Sequence, residues 1–198
     1  MLILKKRAEA EIEVKKSRFI AIALPTETME DVKKNVALIR SEHPDATHVV
    51  HAAVIGRAGT MYSSSDDREP KNTAGRPALE VLKGSGITNI TVCIVRYFGG
   101  TLLGTGGLVK AYGDSTKEVL KTAETEPLID KADFHMVIPY SAYTLIKRLF
   151  EATEAIVSDE VFDINITLDG TIPLSNLDAL RSGCEDIGQG KILLETNQ

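Results

Sequence analysis

Two short stretches hold most of the side chains that could do chemistry. The first, "RYFGGTLLGTGGLVKAYG" from Arg96 to Gly113, places six of the chain's fifteen glycines beside an arginine, a lysine and two tyrosines. It follows a predicted strand and opens a predicted helix, the arrangement that presents unpaired helix N–H groups to an anion. Arg96 and Lys110 flank the glycines, so charge-assisted hydrogen bonds to a phosphate or carboxylate are one reading. In it the backbone at Gly99, Gly100, Gly104, Gly106 and Gly107 approaches the ligand, with Thr101, Thr105 and the Tyr97 ring as further contacts. The other reading is local: glycines permit positive φ or let a strand pack tightly on a helix. Nucleotide fingerprints fail here. No Gly-Lys-Ser/Thr follows, as a P-loop requires, and Val109 stands where the third glycine of GxGxxG belongs.

The second stretch, "SSSDDREPKNTAGRP", offers Asp66, Asp67 and Glu69, followed by Thr73 and Gly75. Three acids within four residues could hold Mg²⁺ beside a phosphate. Asp67 or Glu69 could instead cap a helix or pair with Arg96. His48 and His51 in "THVVHAAV" suggest a metal pair, but residues three apart on a strand face opposite sides of the sheet. His48 alone could carry a proton or donate a hydrogen bond. Cys93, inside the apolar run "TVCIV", is a poor nucleophile. Cys93 and Cys184 have no ligand spacing, so neither a disulfide nor a structural zinc is expected. Serines 63–65 lack a GxSxG context, and no Ser/His/Asp or Cys/His order stands out. No catalytic residue and no cofactor are therefore nominated.

The elements that must position these groups follow from periodicity. "EIEVKKSRFIAIAL" reads as an edge strand passing to a buried one through residues 15–17. "TETMEDVKKNVALIRSEHP" is an amphipathic helix with Thr26 or Thr28 as N-cap and Met29, Val32, Val36 and Ile39 on one face. "ATHVVHAAVIG" is a strand, and all of "MYSSSDDREPKNTAGRP" reads as a long surface loop. Pro77 then opens a short helix, "PALEVLK", and "ITNITVCIVRYF" forms one buried strand. After Pro127 the rhythm changes. "FHMVIPY", "SAYTLIKRLFEAT", a hairpin whose second arm alternates Phe162, Ile164, Ile166 and Leu168, "SNLDALRSG" and "KILLET" give βαββαβ, the order of a ferredoxin-like unit. A domain boundary falls within 127–133, dividing the chain into 1–130 and 131–198.

Composition narrows the function classes. With 43% hydrophobic and 26% charged residues and a mean hydropathy of −0.04, the chain is neither fibrous nor disordered. No run approaches a membrane span and no leader is visible, so a cytoplasmic protein without a membrane partner is expected. Nineteen basic against seventeen acidic residues occupy positions 1–131, and four against eleven occupy 132–198. Neither part is basic enough for non-specific phosphate binding, so any nucleic acid must be held in a local groove.

The glycine segment, together with "SRFIA", "HPDATHVVHA" and "SDDREPKNTAGRPALEVL", resembles the bacterial YigZ branch of the YigZ/IMPACT family over about residues 15–125. In the family's usual acidic block, glycines stand where this chain has Arg68 and Asn72, and a serine where it has Lys71. The family also tends to carry cysteine in place of Val50. The resemblance implies an α+β protein: a first domain like domain 2 of ribosomal protein S5, then a ferredoxin-like domain similar to the last domain of elongation factor G. It further implies a non-enzymatic, translation-associated regulatory protein, since the eukaryotic members bind a large translation-associated activator. Implied partners are the translation machinery or RNA, with protein docking through the acidic C-terminal part. The alternative is a Mg²⁺-dependent enzyme acting on a small phosphorylated compound or nucleotide, because the S5-like fold is shared with small-molecule kinases.

Overall fold

The computed structural model describes residues 1–189, 192 and 194–197. Strand β1 (Leu2–Leu4) is followed by a hairpin of β2 (Ala8–Val14) and β3 (Ser17–Pro25). Lys15 and Lys16 turn this hairpin with φ of 47° and 67°, as a two-residue loop between twisted strands demands. Helix α1 (Met29–Glu42) starts at Thr28, whose hydroxyl and backbone form a capping box with Asp31. β4 (His48–Ile55) and β5 (Met61–Ser65) come next, then α2 (Gly75–Lys83), β6 (Ile87–Thr88), β7 (Ile90–Tyr97), α3 (Gly104–Thr122) and β8 (Thr125–Pro127).

Five of these strands form an antiparallel sheet in the order β2-β3-β7-β4-β5. Alternation gives it two buried faces. Ile22, Val49, Cys93 and Val95 face α1 through Ile39, while Phe19, Ala21, Val50, Ala52 and Ile94 face Leu82 of α2 and Leu108 and Tyr112 of α3. A smaller sheet sets β1 between β6 and β8.

Three boundaries differ from the sequence reading. Met61–Ser65 pairs with β4 as an edge strand, so the functional loop is shorter than expected. Helix α2 begins at Gly75, two residues before Pro77. It does so because the Asp66 carboxylate accepts the Ala74 and Gly75 N–H groups from outside the helix. Pro77 is tolerated there because the first-turn N–H groups have no intrahelical acceptor. The expected single strand through Ile87–Tyr97 is broken at Asn89, which adopts φ 53° and accepts the Gly56 N–H on its side chain.

The chain divides into two compact units, Met1–Leu128 and Ile129–Gln198. The second contains β9 (Lys131–Ile138), α4 (Tyr143–Thr153), β10 (Ile156–Phe162), β11 (Ile166–Pro173), α5 (Leu177–Gly188) and β12 (Leu194–Asn197). Its strands lie antiparallel in the order β10-β11-β9-β12, the ferredoxin-like arrangement, with Phe134, Met136, Phe150, Ile166 and Leu180 in one core. The α+β class is as expected. Phe162 and Ile164 do not belong to the inward alternation: Phe162 ends β10 and Ile164 is 87% exposed at the hairpin tip. Of the expected last strand, Lys191 and Leu193 lie outside the described residues.

Candidate functional site

Phe19, Arg96 and His48 are direct neighbours across β3, β7 and β4, so all three present side chains to the α2/α3 face. Arg96 lies in the central strand and is 5% exposed. A guanidinium so buried requires a counter-charge. Glu69 supplies it: Arg96 Nη1 donates to Glu69 Oε1 at 2.5 Å, and the Tyr112 hydroxyl donates to the same oxygen at 2.7 Å. His48 Nε2 stands 3.8 Å from that oxygen. Burial, followed by the bond to Glu69, pushes the Tyr112 hydroxyl far above the usual phenol range, so it remains a donor. The guanidinium carbon lies 5.4 Å from the Phe19 ring centre and 5.6 Å from that of Phe98. Among the described residues, Arg96 Nε is a buried donor without a hydrogen-bond partner.

The acidic loop is built to deliver Glu69 to this point. Asp66 accepts the N–H groups of Asn72, Ala74 and Gly75, capping α2 where the Ala74 methyl offers no acceptor. Asp67 accepts the Val49 N–H at 2.7 Å and lies 3.0 Å from Arg40. Burial pushes the Asp67 carboxyl up, but those two partners outweigh it and leave its pKa below the ordinary value. The Asp67 carbonyl accepts from His48 Nδ1 at 2.7 Å, which fixes the proton on that nitrogen. Thr73 closes the turn by donating to the Pro70 carbonyl. A Cβ on Gly75 would stand 2.6 Å from the Ser65 carbonyl oxygen, so glycine is needed where α2 crosses β5.

The glycine turn closes the other side. Gly99 donates to Ser17 Oγ, and a Cβ there would lie 2.0 Å from the Lys16 carbonyl carbon. Gly100 and Gly104 have φ of 81° and 75°. Gly104, Thr105, Gly106 and Gly107 form the first turn of α3, which no side chain caps. Between turn and loop lies a cavity of about 420 Å³. Thr47, His48, Glu69 and Arg96 form its polar wall, Pro70, Phe98, Leu102, Leu103 and Leu108 its apolar wall, and Gly104 and Thr105 its helix end.

Not every expected contact gathers here. Tyr97 points to the opposite face, where its hydroxyl meets His43 Nδ1 at 2.9 Å and Arg18 covers its ring. Lys110 pairs with Asp114 and lines a separate cleft with Arg76 and Lys117. Thr101 is exposed and outside the cavity walls. The three acids are each engaged as described, and no cluster of three or more His, Cys, Asp or Glu suited to a metal occurs among the described residues. His51 lies across the sheet from His48, with Ser63 Oγ at 3.0 Å. Burial pushes the Cys93 thiol up to about 12, so it holds no thiolate at neutral pH. Tyr112, Phe98 and Leu102 were missed in the sequence. The available signal for Tyr112 was its place among Leu108, Ala111, Ser115 and Val119 on the buried stripe of α3, where a hydroxyl needs a partner.

Fold and site together define a two-unit α+β protein whose first unit shapes an apolar cavity over a buried Arg–Glu–Tyr cluster, beside an uncapped helix. Residues 15–120 match the model of the Impact N-terminal domain. An IMPACT family member of Haemophilus influenzae is 37% identical over 98% of this chain and 95% of its own length. IMPACT family member YigZ of Escherichia coli is 35% identical over 92% of this chain and 90% of its own. The chain belongs to the IMPACT family. A crystal structure of a hypothetical protein, 34% identical, superposes with a TM-score of 0.70 over 100% of this chain and 97% of that one. No helix among the described residues is long and apolar enough to cross a membrane.

Proposed function

We propose that the protein is a cytoplasmic, non-enzymatic regulator associated with translation, which acts by binding a component of the translation machinery at the cavity between acidic loop and glycine turn. The observation that carries this reading is the cavity itself, with Arg96 and Glu69 at its floor and Leu102 82% exposed at its rim. Apolar side chains left bare around a concave polar floor mark a place for a partner. Family membership supports the link to translation. The units are assigned as an S5-like binding domain, 1–130, and a ferredoxin-like domain similar to the last domain of elongation factor G, 131–198, whose acid excess suits protein docking.

The enzymatic alternative is less well supported, because Asp66, Asp67 and Glu69 each already hold a structural partner. Co-sedimentation of the purified chain with ribosomes at low salt tests the binding reading. Wild type is expected in the ribosomal pellet, and Leu102→Ser, which changes only an exposed rim residue, is expected to be largely lost from it. Absence of wild type from the pellet at low salt overturns the proposal.

A further inference from the structure

The cavity's charge and walls also select its occupant, an inference that rests on the cavity being the partner site. Helix α3 runs 19 residues from Gly104 and has no side-chain cap, so its N-terminus offers free N–H groups and about half a positive charge. Arg96 lines the same cavity and is 5% exposed, and its Nε has no partner among the described residues. A buried donor in that state is costly and gains from any acceptor that reaches it. Arg96 is also the one Lys or Arg among the wall residues, and Glu69 already balances its charge. The site therefore suits a single negative charge better than the two or more of a terminal phosphate. Opposite stand Phe98, Leu102, Leu103 and Leu108, aliphatic for the most part, which match an apolar side chain rather than the polar edges of a base.

Two further features bear on size. Leu102 is 82% exposed, so an occupant wholly inside the cavity leaves the rim bare and a longer one covers it. At Gly106 a Cβ would meet nothing within 4 Å, so packing does not require that glycine, and it keeps the approach to the helix end clear. We propose that the cavity receives the C-terminus of a partner polypeptide, its free carboxylate at the α3 N-terminus, its last, apolar side chain against Phe98, Leu103 and Leu108, and the residues before it over Leu102.

Titration of the full chain with four probes, followed by backbone NMR, tests this: a pentapeptide ending in leucine, the same peptide as its C-terminal amide, N-acetylleucine, and a single-stranded RNA oligonucleotide. The free-acid peptide is expected to move the amide signals of Gly104, Thr105 and Gly106, and the amidated peptide to bind at least about tenfold more weakly. Thr105→Glu, which places a carboxylate in an exposed first turn that tolerates it, should weaken the free-acid peptide to a similar degree without lowering Tm. Leu102→Ser should weaken the peptide but leave N-acetylleucine unchanged. Equal binding of acid and amide, N-acetylleucine as tight as the peptide, or no response to any peptide at millimolar concentration overturns the inference. RNA moving those amides while peptide does not also overturns it, yet leaves the binding reading of the cavity standing. Loss of ribosome binding with peptide binding intact does the reverse.

Discussion

At the scale of single residues, the buried pair carries the most consequence. Glu69→Ala leaves the Arg96 guanidinium without its counter-charge under Phe19 and Tyr112, and the expected loss is about 3–5 kcal/mol in urea unfolding. Replacing both partners by apolar residues, Glu69→Leu with Arg96→Met, should recover much of that loss, since neither buried charge remains. A single variant within about 1 kcal/mol of wild type would show the pair to be incidental. His51 gives a separate pH signature. Burial lowers its pKa from an ordinary value of 6.5, Asp67 opposes weakly, and Arg40 and Lys33 line the same recess. The unfolded chain thus takes up a proton near pH 6.5 that the folded chain refuses. Stability is full above that pH and falls as pH drops below it. His51→Gln should flatten the stability profile below about pH 6.5. An unchanged slope in the variant would remove His51 as its source.

At the scale of elements, the acidic loop shows why a backbone argument improves on a motif. Arg68 and Asn72 have φ of 69° and 62° at the two positions where the family pattern has glycine. The turn geometry wants a residue without Cβ, and this chain forces arginine and asparagine into it. Arg68→Gly is expected to hold or raise stability, by up to about 1 kcal/mol, whereas an ordinary solvated loop would lose from added backbone freedom. The glycine turn splits likewise. Gly99→Ala collides with the Lys16 backbone and should cost roughly 1–3 kcal/mol, while Gly106→Ala meets open space and should stabilise α3 by about 1 kcal/mol. Matching melting shifts for the two variants would contradict that division. Helix α1, the β2–β3 hairpin and the opposed faces of His48 and His51 were legible, because period and capping chemistry are local. The pairing of Glu69 with Arg96 was foreseen only as one option among several for the loop acids. Tyr97 and Lys110 were placed with Arg96 by closeness in sequence, which strand alternation and the turn of α3 undo. The start of α2 was not legible because Asp66, eight residues before the cap it serves, does the capping.

At the scale of the whole molecule, the cores rather than the charge decide how the chain responds to damage. The residues packed around Phe19, Ile94 and Tyr112 all lie before Leu128, and those around Phe134, Ile146 and Phe150 all lie after it, with none in common. Cooperativity follows contiguous packing, so each set should open as its own unit. Phe150 is 3% exposed and stacks on Phe134 at 5.2 Å, and its removal to alanine should cost the second unit about 3–5 kcal/mol. Amide hydrogen exchange separates the outcomes. Protection should fall through β9, β11 and α4 in Phe150→Ala, while amides of β3, β4 and β7 keep their wild-type rates and the cavity keeps its form. If protection in β7 falls in step with β9, the two cores unfold together, and variants meant to probe the cavity must be read against the stability of the entire chain.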